Sequence, residues 1–335
     1  MLVPPILAVI LGAACADDGD LQRYEASRPS MGTLFQITLY ASDATSAQRA
    51  FDAAFARVEE LNGIFSDYDS NSEANRLSHA APMERPVQMS KEMGIVLEQS
   101  LRLSERADGA FDVTVGPLSR LWRRARRRKE LPSAERLQQA LAATGYRHVR
   151  LDSEKGTAQL LVPDMRLDFG AIAKGFAADE TIATLRKLGI CRALVNAGGD
   201  IAMSEGPPGQ TGWRIGIAPL AASDPPSRFL RLANCGIATS GDAWQFVEIA
   251  GNRYSHIVDP RTGIGTTDRS SVSVVARDCT TADSLASAIT VVGPRDGIRL
   301  AEQTCGASCL IVRVEDEQAK TYESQRFPAS EPKKG

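Results

Sequence analysis

The chain has 335 residues and a mass of 36.0 kDa, with 43% hydrophobic and 24% charged residues, a balance that supplies a folded core and excludes disorder as the main state. Thirty-nine basic against 41 acidic residues leave a net charge of −2, which argues against nucleic-acid binding as the main activity. Only three scattered histidines occur, His79, His148 and His256, and there is no HExxH or CxxC, so any metal is expected on oxygen ligands rather than in a histidine or zinc-ribbon site.

Residues 1–15, MLVPPILAVILGAAC, hold an apolar run of signal-peptide length, too short to span a bilayer. Gly12-Ala13-Ala14-Cys15 resembles a lipobox, whose cysteine carries lipid, with Leu11 one place early and no Lys or Arg before the run. Residues 16–26, which open on an acidic stretch, read as a solvated tether. Thr33 to Tyr40 alternates as a strand. Thr45-x-x-Gln48 is a capping-box pattern before a helix carrying Phe51, Phe55, Val58 and Leu61, with Gly63 as its stop. A second helix is expected after Ser90, stopping at Gly109, and a third from Ser133 to Gly145. Arg123 to Lys129 is the strongest charge run; it reads as a solvated helix face or loop, the sharper alternative being an anionic lipid or nucleic-acid contact. A longer helix is expected from Ala171 to Leu188, with Gly189 as its cap. Strands are expected at 148–151, 158–162, 193–196, 214–218, 229–232, 246–249, 271–276 and 309–312. Several of these follow one another without helices, which argues for an α+β fold rather than a doubly wound sheet. At roughly 150 residues per domain the length fits two domains or one two-lobed domain. Residues 314–335 read as a loose polar tail. Cys305 and Cys309 have the spacing to pair in an oxidising compartment, although buried free thiols are the plainer reading.

Four segments can carry chemistry. In Leu167 to Gly175 an acid, Asp168, ends a strand and Lys174 sits in the first turn of a helix, an arrangement suited to a phosphate. Asn196-Ala197-Gly198-Gly199-Asp200 brings a strand into a Gly-Gly turn, whose backbone can approach a ligand or simply turn tightly. In Tyr254 to Gly263, His256 precedes an Asp-Pro turn; a neutral imidazole is a natural general base near pH 7, though most lone histidines are structural. In Cys279 to Ser287, Thr281 is a candidate cap that places Asp283 in the first helical turn, with Ser287 on the same face. A carboxylate and a hydroxyl there suit Mg²⁺. The plainer reading is that Asp283 complements the helix dipole.

Taken in order, these segments resemble the ApbE family of flavin transferases over about residues 27–313. Ser30-Met31-Gly32-Thr33, Phe65 to Asp69 with Ser72-Glu73, Asp108 to Leu118 and Ala238 to Asp242 complete the match. The resemblance implies a two-lobed α+β domain with mixed or antiparallel sheets flanked by helices. It implies an Mg²⁺-dependent enzyme that splits FAD and joins FMN by a phosphoester to a Thr or Ser hydroxyl of a target protein, releasing AMP. It further implies FAD contacts at Met31, Tyr68, Ala107, Asp108, Gly109, Asp168, Lys174 and Ile257, with the Gly198-Gly199-Asp200 turn and Ser240 alongside. Asp283, Ser287 and the Ala171 carbonyl match metal ligands, and His256 matches the base, with Asp283 as its catalytic partner. Targets would be electron-transfer subunits bearing an Asp-Gly-x-Ser/Thr-Gly-Ala-Thr/Ser motif. That fits an exported protein on the periplasmic side of the bacterial inner membrane, anchored through lipid. Ser287 stands where many members have Thr, Ala286 where some have an acid, and Ala243-Trp244 where Tyr is frequent. Two alternatives remain: FAD hydrolysis to FMN and AMP, and a flavin-binding lipoprotein without turnover.

Overall fold

The computed structural model describes residues 18–220, 225–226, 228–241 and 246–331. The leader with Cys15, and Asp242, Ala243 and Trp244, lie outside them.

The first strands, β1 (Gln22–Ser30) and β2 (Thr33–Ala41), form a hairpin, followed by helices α1 (Ala44–Phe65) and α2 (Glu73–His79). Then come β3 (Val87–Gln88), α3 (Lys91–Arg106), α4 (Gly116–Arg128), α5 (Ala134–Ala142), β4 (Val149–Asp152), β5 (Thr157–Leu160) and α6 (Ala173–Lys187). The chain continues through β6 (Ala193–Ala197), β7 (Asp200–Met203), β8 (Trp213–Gly216), β9 (Phe229–Leu232), β10 (Cys235–Gly241), β11 (Phe246–Ile249) and β12 (Asn252–Ser255). It closes with β13 (Val258–Asp259), β14 (Ile264–Gly265), β15 (Ser270–Ala276), α7 (Cys279–Glu302), β16 (Ser308–Glu315) and β17 (Gln318–Glu323).

Eight strands make the main sheet in the order β1-β2-β6-β7-β10-β15-β16-β17, and every ladder in it is antiparallel. The α+β expectation holds. Alternation explains how the sheet is covered. In β2 the residues Phe35, Ile37 and Leu39 are buried in the core they share with α1, α6 and α7. In the central strand β15 every residue is buried, because Val272 and Val274 face that helical layer while Val275 faces a second core. The β8–β9 hairpin supplies that second core with Trp213, Ile215, Leu230 and Leu232. A third, smaller core joins α4 and α5 to the hairpins β11–β12 and β13–β14 through Leu118, Trp122, Val247 and Val258. Trp122 Nε1 donates to the Gly263 carbonyl at 2.7 Å and so pins that lobe together.

Several local expectations need correction. The helix after β2 is capped by Asp43, whose side chain accepts from Ser46 N, and it runs through Gly63 to Phe65. Asp278 caps α7 by accepting from Thr281 N, so Asp283 falls in the second turn. Helices do begin at Ser90 and Ser133, whose side chains cap them, but they end at Arg106 and Ala142, short of the expected Gly109 and Gly145. The Arg123–Lys129 run belongs to α4, a helix with buried Leu118, Trp122 and Ala125. The expected tether is part of the sheet from Gln22 onward, paired in register with β2. The expected tail adds β17, and beyond it Phe327 is 7% exposed in the second core. Both outer strands are polar and solvated, which hides the alternating signature of a half-buried strand. Cys305 is exposed and Cys309 buried, and both are free thiols. Among the described residues no helix is long and apolar enough to cross a membrane.

Candidate active site

A cavity of about 410 Å³ opens between the ends of α6 and α7, the β6–β7 turn, helix α4 and the 254–265 segment. Its charged centre is Lys174 in the first turn of α6. The Lys174 ammonium donates to Asp200 Oδ2 and lies 3.6 Å from Asp283 Oδ2. Asp200 opens β7 directly after Gly198-Gly199, a turn with φ of 68° and 105°. A Cβ on Gly198 would strike Thr33 Oγ1, so only glycine lets the β1–β2 turn close beside it. Asp283 reaches across from α7 and accepts from Gly175 N at 3.1 Å. It therefore complements the exposed N–H groups of α6, not those of its own helix. Gly175 permits this contact, since a Cβ there would lie 2.4 Å from the Cys279 carbonyl oxygen.

The electrostatics follow from burial. Asp200 and Asp283 are 4% and 5% exposed. Burial first, then the negative Asp200, pushes the Asp283 carboxyl well above its usual range, against the pull of Lys174. Burial also opposes the charge on Lys174, but the two carboxylates outweigh it and hold the ammonium more firmly protonated than an ordinary lysine. One ammonium thus serves two buried carboxyls, and a cation beside Asp283 would favour its ionised form. Ser287, one turn beyond Asp283, and Ala171 line the same cavity. A carboxylate, a hydroxyl and a carbonyl are hard oxygen donors, and the set fits Mg²⁺. Among the described residues no cluster of three His, Cys, Asp or Glu side chains offers a competing metal site. Ala286 is buried in the main core.

The opposite wall comes from the smaller lobe. His256 is exposed to the cavity beside Ile257 and Val258. Its segment is fixed by Ser255 N donating to the Thr266 carbonyl at 2.8 Å and Thr266 N donating to that of Ile257 at 2.9 Å. His79 and His148 lie outside the lining.

Of the expected site residues, Tyr68, Asp168, Ala171, Lys174, Gly198, Asp200, Ser240, His256, Ile257, Asp283 and Ser287 meet in this cavity. Gly199 faces an adjoining hollow of about 190 Å³. Met31, Ala107, Asp108 and Gly109 are not in the lining. Met31 occupies the β1–β2 turn with φ of 49°. The Asp108 side chain points to solvent, 3.7 Å from Arg147, while Gly109 packs near Arg261, next to the lining residues Ala110 and Pro260.

Sequence reasoning missed Arg123. Its guanidinium lies 2.5 Å from Asp67 Oδ2 and 3.2 Å from Asp168 Oδ2, and 4.6 Å from the centre of the Tyr68 ring. Burial, with Asp168 beside it, raises the pKa of Asp67. The only signal was the charge run, and its bland reading as a solvated face concealed a side chain that turns inward. Asp112, within the Asp108–Leu118 segment and 7% exposed, accepts from Thr114 N, Thr114 Oγ1 and Tyr146 N at 2.8, 2.7 and 2.6 Å and shapes the cavity wall.

Charge buried on this scale in an α+β fold, with one side open to solvent, marks an enzyme cavity rather than a structural core. Comparison with known proteins then places the chain: it belongs to the ApbE family, whose profile matches residues 31–311. It is 32% identical to the FAD:protein FMN transferase of Vibrio cholerae over 331 residues, 96% of each chain. The Haemophilus influenzae enzyme of the same name is 29% identical over 94% of each chain. The solved flavin transferase ApbE from Vibrio cholerae superimposes with a TM-score of 0.81 at 30% identity, covering 92% of this chain and 98% of that one. The apo flavinyl transferase ApbE of Pseudomonas stutzeri gives 0.80 at 29% identity, covering 92% and 97%.

Proposed function

We propose that the protein transfers FMN from FAD to a threonine or serine hydroxyl of a target protein, with release of AMP. The observation that carries this reading is the meeting of Lys174, Asp200, Asp283, Ser287, the Gly198 turn and His256, from distant parts of the chain, in one cavity. Family membership narrows the chemistry to flavin transfer.

His256 takes the proton of the acceptor hydroxyl. The acceptor oxygen bonds to the FMN phosphorus, the pyrophosphate P–O bond breaks, and AMP leaves with the bridging oxygen. Lys174, in the first turn of α6, holds the pyrophosphate through its ammonium. Asp200 fixes that ammonium in place. Tyr68, over Arg123 at the wall, presents an aromatic face for the flavin or adenine ring. Asp283, Ser287 and the Ala171 carbonyl are the residues that would hold Mg²⁺, which neutralises pyrophosphate charge when bound.

The test is covalent labelling. A motif-bearing acceptor incubated with enzyme, FAD and Mg²⁺ gains flavin fluorescence that survives denaturing electrophoresis, with stoichiometric AMP. We expect His256→Ala to lower the rate by at least about 100-fold; unchanged labelling removes His256 from its role. Because His256 is exposed, water can take the acceptor's place, and AMP released at the same rate without any acceptor would establish hydrolysis instead. The same reading has the protein exported to the periplasmic side of the inner membrane and tethered through Cys15; its support is the apolar leader and lipobox-like sequence.

A further inference from the structure

Helix α4 turns Ser119, Trp122, Arg123 and Arg126 to the cavity, one stripe of a helix with about 3.6 residues per turn. The neighbouring surface carries Arg120, Arg124, Arg127 and Arg128, followed by Lys129 at the helix end. Arg120, Arg127, Arg128 and Lys129 are exposed. None of these five, nor Arg126, joins an ion pair among the described residues. Arg128 and Arg136 crowd Arg124 and hold its guanidinium below the ordinary range. Folding thus gathers like charges on one face of a slightly acidic chain, with Glu130 as the acid that opposes them at Arg124, a cost in repulsion that an anionic partner relieves.

The position of the face narrows the partner. Arg126 carries the basic surface into the cavity where Lys174 and His256 stand, so an extended chain lying along it is led to the reacting groups. A bilayer pressed on the same face would lie across the side from which a macromolecule enters, and Leu131 is the one exposed large aliphatic residue adjoining it in sequence. We propose that the basic face of α4 is the docking surface for an acidic segment of the acceptor protein, an assignment that rests on the transfer reaction inferred for this cavity.

The experiment compares the full-length enzyme with the Arg124→Gln/Arg127→Gln/Arg128→Gln variant. The probes are a fluorescein-labelled peptide with one threonine between glutamate runs and a control with glutamines in their place. Binding is read by anisotropy over a range of salt. We expect the wild type to prefer the acidic peptide, more weakly as salt rises. The triple variant should bind it at least about tenfold more weakly with a shallower salt response, and FAD affinity should stay within about twofold. Arg127→Glu alone, at an exposed position, should move affinity the same way and guards against misfolding of the triple variant. Equal binding by enzyme and variants, or of the two peptides, overturns the proposal. So does a variant that loses binding to phosphatidylglycerol vesicles while peptide binding stands. Peptide binding by a wild type that transfers no flavin to a motif-bearing acceptor overturns the reaction and leaves the surface; transfer to that acceptor without peptide discrimination does the reverse.

Discussion

At the scale of single residues, the cavity is a set of charges each held by another. Arg123 shows what such holding does. Its guanidinium separates Asp67 from Asp168 and lies under the ring of Tyr68. With Arg123→Ala the two carboxylates face each other unscreened, Asp67 is driven further toward its protonated form, and Tyr68 loses its platform. We expect the KM for FAD to rise about tenfold with kcat much less affected, and Asp67→Asn in that background to recover part of the loss by removing the repulsion. Steady-state kinetics with varied FAD measure it; an unchanged KM would sink the idea. Residue types told much of this in advance. The Lys174, Asp283 and His256 segments were readable because few side chains can do phosphate, metal and base chemistry. Arg123 was not, because whether an arginine in a run of arginines points in or out is decided by the partner surface and not by its neighbours in sequence.

At the scale of elements, α6 and α7 are joined at their ends as well as along their lengths. Asp179 of α6 accepts from Cys279 N at 2.9 Å, Thr280 N at 2.8 Å and Thr280 Oγ1 at 2.6 Å, tying down the first turn of α7. Burial nonetheless pushes its carboxyl from 3.8 up to about 6. The folded protein then keeps this proton to higher pH than the unfolded chain. Its contribution to stability is fully present below pH about 4 and is lost as pH rises through about 6. Asp179→Asn removes that titration. Between pH 4 and 6.5 wild-type stability should therefore fall by about 2 kcal/mol more than that of the variant, whatever other carboxyls titrate in both. Urea unfolding across that range measures the difference, and parallel curves would refute it. Helices α1, α3, α5, α6 and α7 were legible from apolar spacing and start signals, Ser90 and Ser133 among them, whereas the short α2 was not. Asp43 and Asp278 were missed because an Asp stands shortly before a Thr at each site and both are good caps; sequence alone does not choose between two starts a few residues apart.

At the scale of the whole molecule, β2, β6, β15 and β16 of the main sheet were visible in the sequence, whereas its inner strands β7 and β10 and its outer strands β1 and β17 were not. The boundary at residue 314 correspondingly fell inside the sheet. Phe327 fills the second core, Glu331 N donates to the Phe229 carbonyl at 2.7 Å, and the Glu331 carboxylate meets Arg231 and, at 3.3 Å, Arg214. A chain ending at Val314 should lose about 2 kcal/mol from Phe327 alone and melt at least roughly 3 °C lower; calorimetry showing an unchanged Tm would restore the loose-tail reading. Nor was the gathering of the cavity from distant segments legible, because it depends on strand order. That order reaches into how the molecule is made. β2 pairs with β6, Phe35 opposite Ala197, some 160 residues further along. A chain emerging from its N-terminus forms the β1–β2 hairpin at once, but the apolar strand β2 then waits with a bare edge until six helices have been synthesised. Such distant pairings close slowly, and an uncovered edge recruits other chains. The hazard of aggregation therefore belongs to the half-made protein, before β6 arrives, and not to the finished sheet with its polar borders.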